Sequence, residues 1–575
     1  MTVSVSPLAD HESALVVPMS ALEGGTTSGP SGVERRRAWA MAFAVFTAGA
    51  VNLGLEIVAS RVVAPYFGNS LTVWGALIGV VLTGLSIGYW VGGIIADRRP
   101  TPLLLVGVMI LGAVAVLLVP VIDGPVLNTI VDWDPGPSWN PIVAAAALFG
   151  PSSIILACVT PIAVRLRADQ LANLGRTAGR LFSVSTAGSI AGTFAASFWL
   201  VPTYGTQQLI AVGAAALLAV AALFALSERL FAPAFGAIAV TIVALLVGST
   251  LTTKAGSTLS RSEAQNWSPA FRRQGLETGP RADDYAGLKV RFQKDTQYHR
   301  LAVVDDEADG KRYLRFDASY QSGMSIADPL ATEFRYTDYF HLARLYNPDA
   351  KRILLIGLGG GSVPKRWQSD FPGMTMDVVE LDPVVVDVAR KYFALDNDSR
   401  VRVTTKDGRI FLADAKPDQK WDAIFLDAYY SDGLPFHLAT SEFFDLARRH
   451  LTDNGVIAMN AIGAVTGPNS KLFRSVFRTL QGVYPTVYVH PVAEDALTGS
   501  EQVRNLLVVA TGGPAITEEE LGRRYGELLV TNPKVPDLAG PITNRWDLPI
   551  QINDVPELTD DFAPTDSLLL DASPS

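Results

Sequence analysis

Seven stretches of about 20 residues, nearly all apolar, fill the first 250 positions of this chain, and no other feature constrains its fold as much. They run approximately 38–58, 73–95, 102–122, 142–164, 182–201, 207–226 and 233–251. A hydrocarbon core about 30 Å thick takes roughly 20 helical residues to cross, and a helix satisfies its own backbone hydrogen bonds where water is absent. The sequence therefore predicts a multi-pass α-helical membrane domain over 35–252. The fifth stretch carries Ser183, Ser185, Thr186, Gly188, Ser189, Gly192 and Thr193. Such small residues predict close helix neighbours.

Residues 1–34 are rich in Ser, Gly and Pro without a helical or strand period, which reads as a disordered tail. The apolar run begins only near Ala38, after Arg35, Arg36 and Arg37, so no cleaved signal peptide is expected. These arginines place the N-terminus in the cytoplasm, with Arg98, Arg99, Arg165, Arg167, Arg176 and Arg180 on the same side. The loop 123–140 has no Lys or Arg and falls opposite. A seventh span delivers the C-terminal half to the outer side, away from cytosolic nucleotides, so the parity of the count decides where that half lies. Glu56 and Arg61, near the end of the first span, are expected to reach the interface or to pair with each other.

The overall 49% hydrophobic and 18% charged content averages this half with an ordinary soluble one. Cys158 is the only cysteine, which excludes an intrachain disulfide. A net charge of −9 offers no basic footprint for nucleic acid. Residues 253–284 read as a linker, and 285–345 as a small antiparallel β domain with strands at Leu288–Phe292, Leu301–Val304 and Tyr313–Phe316. From 346 to 575 strands and amphipathic stretches alternate: Arg352–Ile356, Met376–Glu380, Val401–Thr405, Ala423–Leu426, Gly455–Met459 and Leu506–Ala510. That rhythm predicts an α/β, Rossmann-like domain with a mostly parallel sheet, ending in an irregular tail.

The first of these strands runs into Gly357-Leu358-Gly359-Gly360-Gly361-Ser362, where glycines let a ligand approach the mouth of the next helix. A tight strand-to-helix turn would account for the glycines equally well. The second strand ends at Glu380, placed to accept bonds from both ribose hydroxyls. The third ends at Asp407-Gly408, where the acid suits an adenine amino group, with capping of the following helix as the alternative. The fourth ends at Asp427-Ala428-Tyr429-Tyr430.

The order IGLGGGS, VVELDPVVVDVARKYF, TKDGRIFL, WDAIFLDAYY and LATSEFF, preceded by TQYHRLAVVDD, RFDASYQSGM and YTDYFHLARLYNP, resembles the spermidine synthase family in its membrane-fused bacterial form. The resemblance covers roughly residues 290–510. It implies a methyltransferase-like sheet behind a small β domain, and transfer of propylamine from decarboxylated S-adenosylmethionine to a diamine, releasing methylthioadenosine. It implies Asp427 as the catalytic acid, acting as general base or anchor for the amine, against a bland reading as a turn cap. Gly357, Gly359, Gly361, Glu380, Asp407 and Gly408 are the expected donor-binding residues, and His299, Tyr429, Tyr430 and Asp432 the expected amine-side residues. The family commonly forms dimers.

Four positions depart from the family pattern. Gly360 stands where the acid of GGGDG is usual, Tyr430 replaces the second acid of the DSSDP-type motif, His299 replaces a glutamine, and Thr337 replaces a histidine. Asp432, Asp338 or a Tyr face could substitute in gripping a cationic amine. His299 also reads as a polar residue on a half-buried strand. His341 and His437 read as structural, and no metal is expected. Two rivals follow: a transferase using S-adenosylmethionine itself on another acceptor, and a polyamine or cation transporter whose soluble domain only senses. Either enzymatic reading needs an adenosyl donor as co-substrate rather than a resident cofactor.

Overall fold

The apolar stretches become helices whose lengths match a bilayer. A computed structural model describes residues 32–67, 71–136, 138–167, 174–201, 206–250, 287–317, 319–430, 433–493 and 499–570, so most of the expected tail and all of the linker lie outside the described residues. The N-terminal bundle comprises α1 (Gly32–Phe67), α2 (Leu71–Arg98), α3 (Pro102–Trp133), α4 (Trp139–Leu148), α5 (Gly150–Ala157), α6 (Val159–Arg167), α7 (Leu174–Ala195), α8 (Thr206–Ser227) and α9 (Phe231–Thr250). Among the described residues five helices are long and apolar enough to cross a membrane. The run α4–α6 makes a sixth if its two parts, bent by 50° after Leu148, count as one span; Pro151 in the first turn of α5 supplies no N–H at that bend. Helix α9 follows, with Phe231–Ile242 as its shorter apolar stretch.

The small residues of the fifth stretch have a steric purpose. A Cβ on Gly188 would lie 2.1 Å from the Phe46 carbonyl oxygen, and one on Gly192 would lie 2.0 Å from that of Ala50. Helices α1 and α7 therefore touch backbone to backbone, the packing that small residues permit in a membrane. Arg61 does not turn to Glu56; it donates to the main-chain oxygens of Gln297 and Tyr298 in the soluble part.

The soluble part holds two sheets. The first is antiparallel in the order β1-β2-β3-β4, with β1 (Lys289–Asp295), β2 (Arg300–Asp306), β3 (Lys311–Phe316) and β4 (Ser319–Ser325). Strand β4, SYQSGMS, escaped the sequence reading because it has no β-branched residue and carries Gly323. The second has the order β10-β11-β9-β8-β5-β6-β7. Its strands are β5 (Arg352–Ile356), β6 (Thr375–Glu380), β7 (Val401–Thr405), β8 (Trp421–Leu426), β9 (Leu451–Gly463), β10 (Thr486–Pro491) and β11 (Arg504–Thr511). The central pairs are parallel, whereas β11 runs antiparallel to both β9 and β10. Strand β10, short and bounded by prolines, was not foreseen.

Alternate residues of each buried strand feed opposite faces. Leu355, Val378 and Phe425 join Phe340 and Trp367 in one core. Leu354, Val379 and Ile424 join Phe443 and Phe473 in the other. The helices that cover the sheet include α10 (Ser362–Asp370), α11 (Pro383–Tyr392), α12 (Gly408–Asp414), α13 (Ser441–Arg449), α14 (Lys471–Val483) and α15 (Glu518–Thr531). From β5 the chain winds outward through β6 to β7 and then returns to β8 on the other side of β5. The crevice beyond the C-terminal ends of β5 and β8 is the switch point at which such sheets bind ligands.

Candidate active site

A cavity of about 410 Å³ opens at this switch point, in the size range of small-molecule sites. Gly357, at φ 96°, leaves β5 in a conformation that L side chains rarely adopt, and a Cβ there would lie 2.1 Å from the Asp427 carbonyl oxygen. The glycine loop then enters α10 through Gly359 and Gly361, both with positive φ.

Glu380 ends β6, buried beneath this loop. Its Oε2 accepts from the Leu358 N–H (2.9 Å) and its Oε1 from the Asp382 N–H (2.9 Å). Burial raises its pKa, and these two bonds hold the rise in check. A carboxylate has about four lone-pair sites, so each oxygen keeps capacity to accept a ligand hydroxyl. Asp382, also in the wall, caps α11 through Oδ1 at 2.9 Å from the Val384 N–H.

Asp407 makes the helix cap posed as its alternative and faces the cavity as well. Its Oδ1 caps α12 by accepting from the Ile410 N–H (3.0 Å), while its Oδ2 lies 2.9 Å from His437 Nε2. Gly408 follows and lines the cavity; a Cβ there would lie 2.4 Å from Ile356 Cγ2. His437 is therefore a wall residue fixed by Asp407. His341, in contrast, is buried between the Asp338 carbonyl (3.1 Å) and Asp370 (3.1 Å), away from the cavity. Among the described residues no cluster of three or more His, Cys, Asp or Glu could hold a metal ion.

Asp427 follows β8, half-buried in the cavity wall. Oδ1 accepts from Asn460 Nδ2 (2.9 Å) and Oδ2 from the Tyr336 hydroxyl (3.2 Å). Burial pushes its pKa up to about 6 against the pull of both bonds. Asn505 Nδ2 in turn donates to Asn460 Oδ1 (3.0 Å), so a polar chain through two strands orients the acid. The sequence reading missed Tyr336 and Asn460. The signal for Asn460 was present: it is the one amide side chain in the apolar run VIAMNAI of β9.

The residues expected on the amine side divide. Tyr429 presents its ring, but its hydroxyl is spent donating to the Asn460 carbonyl (2.8 Å) and accepting from the Ile462 N–H (3.0 Å). Tyr430 is partly exposed at the rim, 6.2 Å from the His299 ring. His299 lines the cavity while stacked on Phe316 at 4.4 Å, 3.8 Å from Asp317. Asp432 lies outside the described residues. Asp338 is not part of the wall and accepts from the Thr332 hydroxyl at 2.7 Å. Gly360 leaves no space for the acid usual in GGGDG: its N–H donates to Ser322 Oγ (2.8 Å), and a Cβ would lie 2.9 Å from Ser322 Cβ and 3.0 Å from the Phe393 ring.

Residues 333–494 match the spermine/spermidine synthase domain. A polyamine aminopropyltransferase of Vibrio vulnificus is 32% identical over 227 residues, which span 39% of this chain and 72% of that protein. An N-terminal histidine N-methyltransferase of Emericella nidulans is 28% identical over 271 residues, 42% of this chain and 47% of that one. The crystal structure of a probable spermidine synthase from Corynebacterium glutamicum is 19% identical, with a TM-score of 0.37, covering 41% of this chain and 86% of that one. A relative matched at this identity over most of its length fixes the assignment: the chain belongs to the polyamine aminopropyltransferase (spermine/spermidine synthase) family, carried on an N-terminal bundle of membrane-spanning helices.

Proposed function

We propose that the chain is a membrane-bound aminopropyltransferase, moving a propylamine group from decarboxylated S-adenosylmethionine to a diamine such as putrescine. The observation that carries this reading is Asp427, a half-buried carboxylate with its pKa near 6 at the switch point, beside the glycine loop. Such an acid is mostly ionised at neutral pH yet basic enough to take a proton, which suits a general base. The diamine ammonium gives its proton to Asp427, and its freed lone pair attacks the propyl carbon bonded to the sulfonium. The C–S bonding pair stays on sulfur, and methylthioadenosine leaves as a neutral thioether.

In this reading Gly357, Gly359, Gly361 and Gly408 admit the adenosyl part, Glu380 takes the ribose hydroxyls, and Asp407, backed by His437, takes the adenine amino group. The rings of Tyr429 and Tyr430, with His299, flank the cationic amine. Tyr336 and Asn460 orient Asp427 and hold its proton affinity within a useful range.

The missing acid at Gly360 favours keeping a second reading, in which S-adenosylmethionine itself is the donor to another acceptor. Titration calorimetry of the full chain in lipid nanodiscs with both donors and with methylthioadenosine separates the two. Preferential binding of the decarboxylated donor, with methylthioadenosine released on adding putrescine, supports the first. Preference for S-adenosylmethionine replaces it with the second, and binding of none of the three refutes both.

A further inference from the structure

We infer that the catalytic part stands on the face of the membrane opposite the cytoplasm. Three helices carry this independently, because each has one end among the arginines and the other against the soluble part. Arg37 on α1 pairs with Glu228 at the end of α8 (2.6 Å), Arg165 at the end of α6 pairs with Asp97 at the end of α2 (3.2 Å), and Arg167 reaches the Ala38 carbonyl. These contacts gather the basic ends of the bundle on one face.

The opposite ends hold the soluble part. Arg61 of α1 donates to the Tyr298 carbonyl (2.6 Å) and to that of Gln297, the Thr206 N–H and hydroxyl of α8 donate to Asp295 Oδ2 (2.7 and 2.8 Å), and the Leu71 N–H of α2 donates to Asp566 (3.0 Å). At 1.5 Å per residue, Arg37 to Arg61 spans roughly 36 Å, Glu228 to Thr206 roughly 33 Å and Asp97 to Leu71 roughly 39 Å. Each exceeds the hydrocarbon thickness of about 30 Å, so the two sets of contacts belong to opposite membrane surfaces.

Short loops rich in Lys and Arg stay in the cytoplasm. The face that holds Arg37, Arg98, Arg99, Arg165 and Arg167 is therefore the inner one, while the segment 123–140, from the last turns of α3 to the start of α4 at the far end, has acids and no Lys or Arg. Helix α9 begins at the same basic face, three residues after Glu228. Helix placement and charge carry this inference without the proposed reaction. Joined to that reaction, it requires a transport step that brings a cytoplasmic adenosyl donor across the membrane before it can meet Glu380.

The test uses the full chain in bacterial membranes with one reporter cysteine at a time, Val530→Cys on α15, where the native side chain is 84% exposed, or Arg99→Cys at the exposed end of α2. The native Cys158 is buried, and the unsubstituted chain gives the background. A membrane-impermeant maleimide is applied to spheroplasts and to permeabilised membranes. The expected result is labelling at 530 in intact spheroplasts and at 99 only after permeabilisation. The reverse pattern, or equal labelling of both in intact spheroplasts, overturns the inference, and it does so whether or not the chain transfers propylamine.

Discussion

At the scale of single residues, Asp427 joins a cost in stability to its proposed chemical use. Its folded pKa, near 6, lies above the usual 3.8, so the folded chain binds this proton more tightly than the unfolded one. The sign follows: stability from this group is highest below about pH 4, falls as pH rises to about 6 and is flat above, a loss on the order of 3 kcal/mol. Asp427→Asn removes the titration, and its melting temperature should vary less across that window than that of the parent. The same variant should lose roughly 10²- to 10⁴-fold in propylamine transfer while binding methylthioadenosine within a few-fold of the parent. Tyr336→Phe removes a bond that lowers the Asp427 pKa, so the acidic limb of the kcat/KM profile should move to higher pH. At Gly360 the expectation is steric: Gly360→Asp should cost about 1–3 kcal/mol by crowding Ser322 and Phe393, and a second change, Ser322→Gly, should recover part of it in thermal melts.

At the scale of elements, two of the strand-end acids also serve the backbone. Glu380 ties the glycine loop to β6, and Asp407 caps α12 while orienting His437. Glu380→Gln keeps the size but lacks the charge that the Leu358 and Asp382 N–H groups now meet. Calorimetry should show adenosyl-ligand affinity reduced roughly 10- to 100-fold, the loss expected for charge-assisted hydrogen bonds. Within the bundle, Gly192→Ala places a methyl against the Ala50 carbonyl, whereas a Cβ on Gly79 meets nothing within 4 Å. The first should lower the melting temperature of the detergent-solubilised chain by several degrees, and Gly79→Ala should leave it unchanged.

At the scale of the whole molecule, the bundle and the catalytic part share a junction. Arg61 grips the turn between β1 and β2, and that turn supplies Tyr298 and His299 to the cavity wall. Arg61→Ala should raise hydrogen exchange in residues 295–300 of the full chain, and protection equal to the parent would show that the junction does not hold this turn.

The sequence by itself determined the helical bundle, the alternating α/β rhythm and the glycine loop with its acids. These follow from local patterns: apolar length, the period of burial, and the residue types that strand ends and helix caps require. Glu380, Asp407 and Asp427 were legible because each sits at a strand end, where such sheets place ligands. Tyr336, Asn460 and His437 were not, because they reach the cavity from a short helical run, a distant strand and a loop that only the folded sheet brings beside Asp427 and Asp407. The fate of Arg61 depended on a partner 236 residues away, and the absence of space at Gly360 on Ser322 and Phe393. Tertiary structure decided these points because hydrogen bonding and excluded volume act between residues near in space, while a sequence records only which are near along the chain.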